Sequence, residues 1–281
     1  MKDRISAATR VFALLGDPVD HSLSPGIQNG AFREAGVDGV YVALRCDAED
    51  LAGLMRALAR AGGGGNVTLP HKEEAAAVVD SLSDAVRRTG ACNTFWGEDG
   101  EVRGDNTDVE GFRRALRAFL GEEPEGARVL LLGAGGAARA TLVGLLDGGV
   151  EEVVLLNRTV ERARAVARRI GGKRAHVAES VEEVEGEPFH LVVNATRLGL
   201  SPDDPLPVDL ELLGPVRAVM DLVYGDGGTR FVRVARERGI QATDGAEMLV
   251  RQGAVSFERW WGRPPPLDAM RSELGRRAPA R

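Results

Sequence analysis

Short apolar runs and amphipathic stretches alternate along the chain. "VFALLG" (11–16) and "VYVALRC" (40–46) read as strands, and the segments near 25–36 and 48–61 carry apolar residues at helical spacing. The glycine run at 62–65 is too glycine-rich for a helix interior. It predicts a loop into a short strand, ended by Pro70, and then a helix from about His71. The stretch 81–108 predicts a helix followed by a hairpin that turns at Glu98-Asp99-Gly100-Glu101. A further helix near 108–120 leads to the polar spacer "GEEPEGA" (121–127).

Beyond the spacer the pattern regularises. "VLLLGAG" (129–135), "EEVVLLN" (151–157), "LVVNAT" (191–196) and "AVMDLVY" (218–224) are near-continuous apolar strands separated by helical stretches. Such strands belong to a parallel sheet covered on both faces. A last amphipathic helix (about 244–260) ends at "WWGRPPP", and the polar tail after it is expected to be loosely held. No internal repeat relates the two halves. The fold class is therefore α/β, with residues 1–107 and 244–281 expected as one domain and 108–243 as the other.

Composition narrows the function classes. With 281 residues and 43% hydrophobic content the chain can build two modest cores. A formal charge of −6 without a basic run argues against nucleic acid or an anionic membrane as partner. No apolar run reaches membrane-span length, and "MKDRISAATR" lacks a signal peptide's apolar stretch, so a cytoplasmic location is expected. Cys46 and Cys92 have no metal-type spacing and read as reduced, partly buried thiols; the four histidines form no metal constellation. Oligomeric state is not legible, and a homodimer is compatible with everything above.

The second half carries a ligand signature. A strand runs into Gly133-x-Gly135-x-x-Ala138 and then a helix, the dinucleotide-binding Rossmann fingerprint. The first glycine permits the tight turn, the second lets backbone approach a pyrophosphate, and the small third residue lets the helix pack closely. At the end of the next strand an NAD site usually has Asp or Glu. Here stand Asn157, Arg158 and Thr159, with Arg162 further on, a set that can bind a 2′-phosphate. NADP(H) is the expected cofactor, although Glu161 sits close by.

The first half supplies polar side chains at segment ends. In an extended "HSLSP" stretch Ser22 and Ser24 would point the same way, toward one ligand group such as a carboxylate; alternatively Ser24 is a helix N-cap before Pro25. "NVTLPHK" offers Asn66, Thr68 and Lys72, "ACNT" offers Asn93, and "GDNTDVEG" offers Asn106, Thr107 and Asp108. Lys72 is one of three lysines in a chain with 33 arginines. A merely positive surface position here would have been Arg, whereas a group that must give and take a proton has to be Lys.

These stretches, with "NATRLG", "DLVY" and "DGAEMLVRQGAVSFERWWG", resemble the shikimate dehydrogenase family in order and over nearly the whole chain. The resemblance implies NADPH-dependent, reversible reduction of 3-dehydroshikimate to shikimate in aromatic amino-acid biosynthesis. It implies a substrate domain, a Rossmann domain, and a final helix that returns to the substrate domain. By resemblance Ser22 and Ser24 bind the substrate carboxylate with Tyr224 nearby, and Thr68, Asn93, Asp108 and Gln252 bind ring hydroxyls or line that pocket. Lys72 and Asp108 form the catalytic pair. Gly133, Gly135, Gly136 and Ala137 cradle the pyrophosphate. Asn157, Arg158, Thr159 and Arg162 hold the 2′-phosphate, and Gly245 and Met248 approach the nicotinamide. Two positions depart from the family pattern: Gln28 replaces a usual His and is expected to keep a hydrogen-bonding role, and Asp226 replaces a frequent Pro. Alternatives are a quinate/shikimate dehydrogenase, an aminoshikimate-type paralogue, or a non-catalytic NADP(H)-binding sensor, which would not need Lys72 and Asp108 together.

Overall fold

A computed structural model describes residues 5–225 and 227–275; Asp226, one of the two departures, lies outside the described residues. The chain divides into two units, one formed by residues up to Gly111 and from Leu249 on, the other by Phe112–Met248. The first begins with β1 (Arg10–Gly16), α1 (Ser24–Ala35), β2 (Gly39–Arg45), α2 (Ala48–Arg60), β3 (Gly64–Val67) and α3 (Lys72–Val78). Then come β4 (Ser81–Leu82), α4 (Asp84–Thr89), β5 (Thr94–Glu98), β6 (Glu101–Asp105) and α5 (Thr107–Leu120), which runs on into the second unit. The sheet order is β2-β1-β3-β5-β6-β4, with β5 antiparallel to β3 and β6.

The glycine run passes from loop into strand as expected: Gly62 turns with φ 77°, and Gly64 and Gly65 open β3. A Cβ at Gly63 would lie 1.9 Å from the Val11 carbonyl oxygen, and one at Gly65 would lie 2.0 Å from that of Ala13. Only residues without side chains let this segment approach its neighbours so closely. The hairpin turns as expected: Asp99 and Gly100, with φ of 54° and 83°, form the two-residue left-handed loop that suits the twist of its strands.

The second unit contains β7 (Arg128–Leu132), α6 (Gly136–Asp147), β8 (Glu152–Leu156), α7 (Val160–Val166), β9 (Ala175–Ala178) and β10 (Phe189–Asn194). β11 (Val216–Asp221), α8 (Arg230–Glu237) and β12 (Gln241–Thr243) follow. All six strands are parallel in the order β12-β11-β10-β7-β8-β9. Val129, Leu131, Val153, Leu155, Leu191 and Val193 enter one core, and Leu130, Leu132, Val154 and Val192 enter another. That alternation explains the uninterrupted apolar runs, because both faces are covered. β9 and β12 are the edge strands, only 4 and 3 residues long, and gave no such run.

The chain then enters α9 (Ala246–Trp261), which belongs to the first unit from Leu249 on, and α10 (Leu267–Ser272). Val250, Ala254, Phe257 and Trp260 pack with Phe12, Leu14 and Phe32. The tail to residue 275 is held, contrary to the expectation of a loose end. Met270 is fully buried, Leu267 and Leu274 pack beside it, and Glu273 pairs with Arg33 at 3.0 Å. Three apolar residues at helical spacing within a polar segment suffice to dock it. Among the described residues no helix is long and apolar enough to cross a membrane, and no cluster of metal-ligand type occurs.

Candidate active site

The segments carrying the first-half candidates converge because of strand register. β1 and β3 run parallel with Leu15 opposite Val67, so the chain after each leaves the same sheet edge. β5 runs the other way with Thr94 opposite Asn66, which brings Asn93 to that edge. β6 reverses again with Asp105 opposite Thr94, so Asp108 arrives there too.

At this edge Lys72, the first residue of α3, places Nζ 2.7 Å from Asp108 Oδ2. Asp108 Oδ1 accepts from Asn93 Nδ2 at 2.8 Å, so both carboxylate oxygens are engaged. The amide orientation of Asn93 is dictated by its other end, where Oδ1 accepts from the Thr107 backbone N–H at 2.8 Å and from Thr94 Oγ1 at 2.9 Å. Backbone geometry fixes both ends of the pair. The Lys72 carbonyl accepts from the Cys92 N–H at 2.8 Å, and Asn106 Oδ1 accepts from the Asp108 N–H at 3.3 Å. Side-chain exposures of 19% for Lys72 and 11% for Asp108 leave the pair reachable but largely desolvated.

Below the pair lies a buried polar layer that sequence reasoning missed. Asn66 accepts from the Tyr41 hydroxyl at 2.8 Å and donates to Thr94 Oγ1 at 2.8 Å and to Ser256 Oγ at 2.9 Å. Asn66, Asn106 and Thr107 are therefore not free to meet a ligand; all three are buried and occupied internally. Ser256, on α9, ties that helix to the layer through Thr107 Oγ1 at 3.1 Å.

Ser22 and Ser24 depart from both sequence readings of their local structure. The segment is a turn rather than extended, and Ser24 is the first helical residue, not the cap. Ser22 Oγ accepts from the Ser24 N–H at 3.2 Å, while the Ser24 hydroxyl has no hydrogen-bond partner among the described residues. Thr68, just past β3, is partly exposed and held by its N–H to Leu15. Gln252 is partly exposed on α9, where a Cβ at Gly111 would lie 2.6 Å from its Cα; the missing side chain at 111 is what lets α5 and α9 touch. Gln28 keeps a hydrogen-bonding role, donating to the Gly253 carbonyl at 2.9 Å.

In the second unit Gly133 takes φ +114°, and a Cβ there would lie 3.0 Å from the Ala195 carbonyl oxygen, so the protein itself requires glycine. Gly135 and Gly136 are different: a Cβ at either would meet nothing within 4 Å. No protein neighbour demands glycine there, and the space at the start of α6 is open. Ala138 is fully buried, as close packing of α6 on the sheet needs. Asn157 Nδ2 donates to the Thr159 carbonyl at 2.8 Å. Arg158 and Arg162 are exposed and make no ion pair among the described residues. Tyr224 is exposed, whereas Met248 is buried in the sheet core. Gly245 is pressed onto the strand end, since a Cβ would lie 2.1 Å from the Leu222 carbonyl oxygen.

The "NATRLG" and "DLVY" stretches meet in a buried latch. Asp221 accepts from Asn194 Nδ2 at 2.7 Å, the Val223 N–H at 3.0 Å and Thr229 Oγ1 at 2.6 Å. Burial raises its carboxyl pKa despite these bonds. Both cysteines are free and buried, and burial pushes the Cys92 thiol up to about 12.

A parallel Rossmann sheet with a glycine turn, joined to an α/β unit presenting a lysine–carboxylate pair, defines a dinucleotide-dependent oxidoreductase. Family models match in succession: the shikimate dehydrogenase substrate binding domain over residues 14–95, shikimate / quinate 5-dehydrogenase over 116–197, and the shikimate 5′-dehydrogenase C-terminal domain over 245–274. The chain belongs to the shikimate dehydrogenase family. It is 44% identical to the shikimate dehydrogenase (NADP(+)) of Rubrobacter xylanophilus over 96% of this chain and 97% of that one. Among solved structures, the Thermus thermophilus shikimate 5-dehydrogenase in complex with NADP(H) and shikimate is 39% identical, with a TM-score of 0.86 over 95% of this chain and 99% of that one. The Aquifex aeolicus shikimate dehydrogenase matches with a TM-score of 0.87 and 34% identity over 97% and 100% of the two chains. The family and fold expected from the sequence are borne out.

Proposed function

We propose that this chain catalyses the NADP(H)-dependent, reversible reduction of 3-dehydroshikimate to shikimate. The observation that carries the reading is the Lys72–Asp108–Asn93 array, with Lys72 Nζ 2.7 Å from Asp108 and Asn93 on the other carboxylate oxygen. Gly133, Gly135, Gly136 and Ala137 would hold the pyrophosphate, Asn157, Arg158, Thr159 and Arg162 the 2′-phosphate, and Gly245 and Met248 would flank the nicotinamide. The bound dinucleotide supplies a hydride to the ketone carbon.

As the carbonyl oxygen gains negative charge, the Lys72 ammonium donates a proton to it, giving the secondary alcohol; oxidation runs the same transfer backwards. Asp108 restrains the ammonium, and Asn93 restrains Asp108, so the donor is aimed before the substrate arrives. The Ser22 and Ser24 hydroxyls, with Tyr224, would receive the substrate carboxylate, and Thr68, Asn93, Asp108 and Gln252 the ring hydroxyls. Holding the reactants in register can contribute roughly 7–11 kcal/mol toward the barrier. We read the location as cytoplasmic, where this biosynthetic step has its reductant.

Oxidation of shikimate and of quinate, each with NADP⁺ and with NAD⁺, tests the proposal. Turnover is expected with shikimate and NADP⁺. Preference for quinate would overturn the substrate assignment, and no turnover with any pair would overturn the enzyme reading.

A further inference from the structure

Glu161 stands between Arg158 and Arg162 in the sequence, an awkward place for a carboxylate if a phosphate dianion is to bind. A second carboxylate comes from the neighbouring strand. Leu156, the last residue of β8, is paired with Ala178, the last of β9, so Glu179 leaves the sheet beside Asn157. Both acids are claimed by one side chain. Arg164 donates from Nη1 to Glu161 at 2.5 Å and from Nη2 to Glu179, while Glu183 is turned to the Glu179 backbone N–H at 3.1 Å. Arg158 and Arg162 are left without ion pairs among the described residues.

We propose that Arg164 is a positioning residue for cofactor selectivity: it gathers the Glu161 and Glu179 carboxylates and so leaves Arg158 and Arg162 open to a 2′-phosphate. The inference rests on the NADP(H) reading above. Around this rim Arg158, Arg162 and Arg164 oppose Glu161, Glu179 and Glu183, a formal balance of zero that falls to −1 without Arg164. Freed, the two carboxylates would both repel the phosphate and compete for its guanidiniums. Their exposures of 70% and 55% mean that water screens them, which sets a modest effect.

The test uses the full chain and two probes that differ only in the phosphate, adenosine 2′,5′-bisphosphate and adenosine 5′-phosphate, titrated calorimetrically. In Arg164→Gln the Kd for the bisphosphate is expected to rise about three- to tenfold at low ionic strength, with the monophosphate unchanged and the effect shrinking in high salt. The triple variant R164Q/E161Q/E179Q is expected to bind the bisphosphate at least as well as wild type. An unchanged ratio in Arg164→Gln, equal weakening of both probes, or failure of the triple variant to recover would overturn the role of Arg164. Arg158→Ala separates the two ideas: if it too leaves the ratio unchanged, the 2′-phosphate site itself is wrongly placed.

Discussion

Replacing Lys72 separates its charge from its proton. In Lys72→Ala, Asp108 loses its cation but keeps the Asn93 bond at 2.8 Å. Breaking a fully buried pair costs about 3–5 kcal/mol and breaking an exposed one about 0–1. With side-chain exposures of 19% and 11%, the pair lies between these limits. A loss of about 1–2 kcal/mol is expected, lowering the Tm by about 2–6 °C and leaving the enzyme folded. Turnover should fall far more, by about 10²–10⁴, the range for a lost general acid, while shikimate still binds. Lys72→Arg sharpens the test. A guanidinium can pair with Asp108 and should recover most of the stability, yet it does not release its proton near neutral pH, so kcat should stay depressed. Steady-state kinetics, shikimate titration and thermal melts on the two variants check this. Either variant turning over near the wild-type rate would refute proton transfer by Lys72.

Asn93→Leu should cost about 2–4 kcal/mol in urea unfolding, because the buried Thr107 N–H and the Asp108 carboxylate both lose a partner; an unchanged midpoint would contradict the hub role. Arg158→Ala should raise KM for NADPH about tenfold or more, with little effect on NADH, and equal effects would show the 2′-phosphate is read elsewhere. Asp221 gives a pH signature. Its carboxyl pKa is raised in the fold above the ordinary 3.8, so ionisation weakens the folded state progressively as pH rises from that value through the raised one. The stability of Asp221→Asn relative to wild type should therefore improve from about pH 4 to pH 7, the lost Thr229 bond adding only a constant offset. A difference independent of pH would exclude the buried charge.

Much was legible because it is written in local chemistry. The long strands of the second unit showed as apolar runs, since a residue buried on either face of a covered sheet must be apolar. Gly133 with Gly135 and Ala138 announced a ligand because backbone approach restricts residue type, and Lys72 stood out because arginine cannot replace a proton donor. β9 and β12 stayed hidden because edge strands of 4 and 3 residues carry too little pattern. The docked α10 was hidden because one buried and two half-buried apolar residues among charged ones look like a tail.

The amino-acid order alone determined the fold class, the family and the two chemical signatures, since each depends on residue type at fixed short spacing. Only the tertiary structure decided which polar residues join the Lys72–Asp108 pair and which are closed off beneath it. Asn66 and Asn93 look alike in sequence, yet strand register puts Asn66 in a closed internal network and Asn93 on the Asp108 carboxylate. Likewise Glu161 reads as a threat to phosphate binding until α7 and the end of β9 bring Arg164 between it and Glu179. Hydrogen bonds and ion pairs reach only about 3 Å, so partners tens of residues apart are set by how strands align, which no single stretch of sequence records.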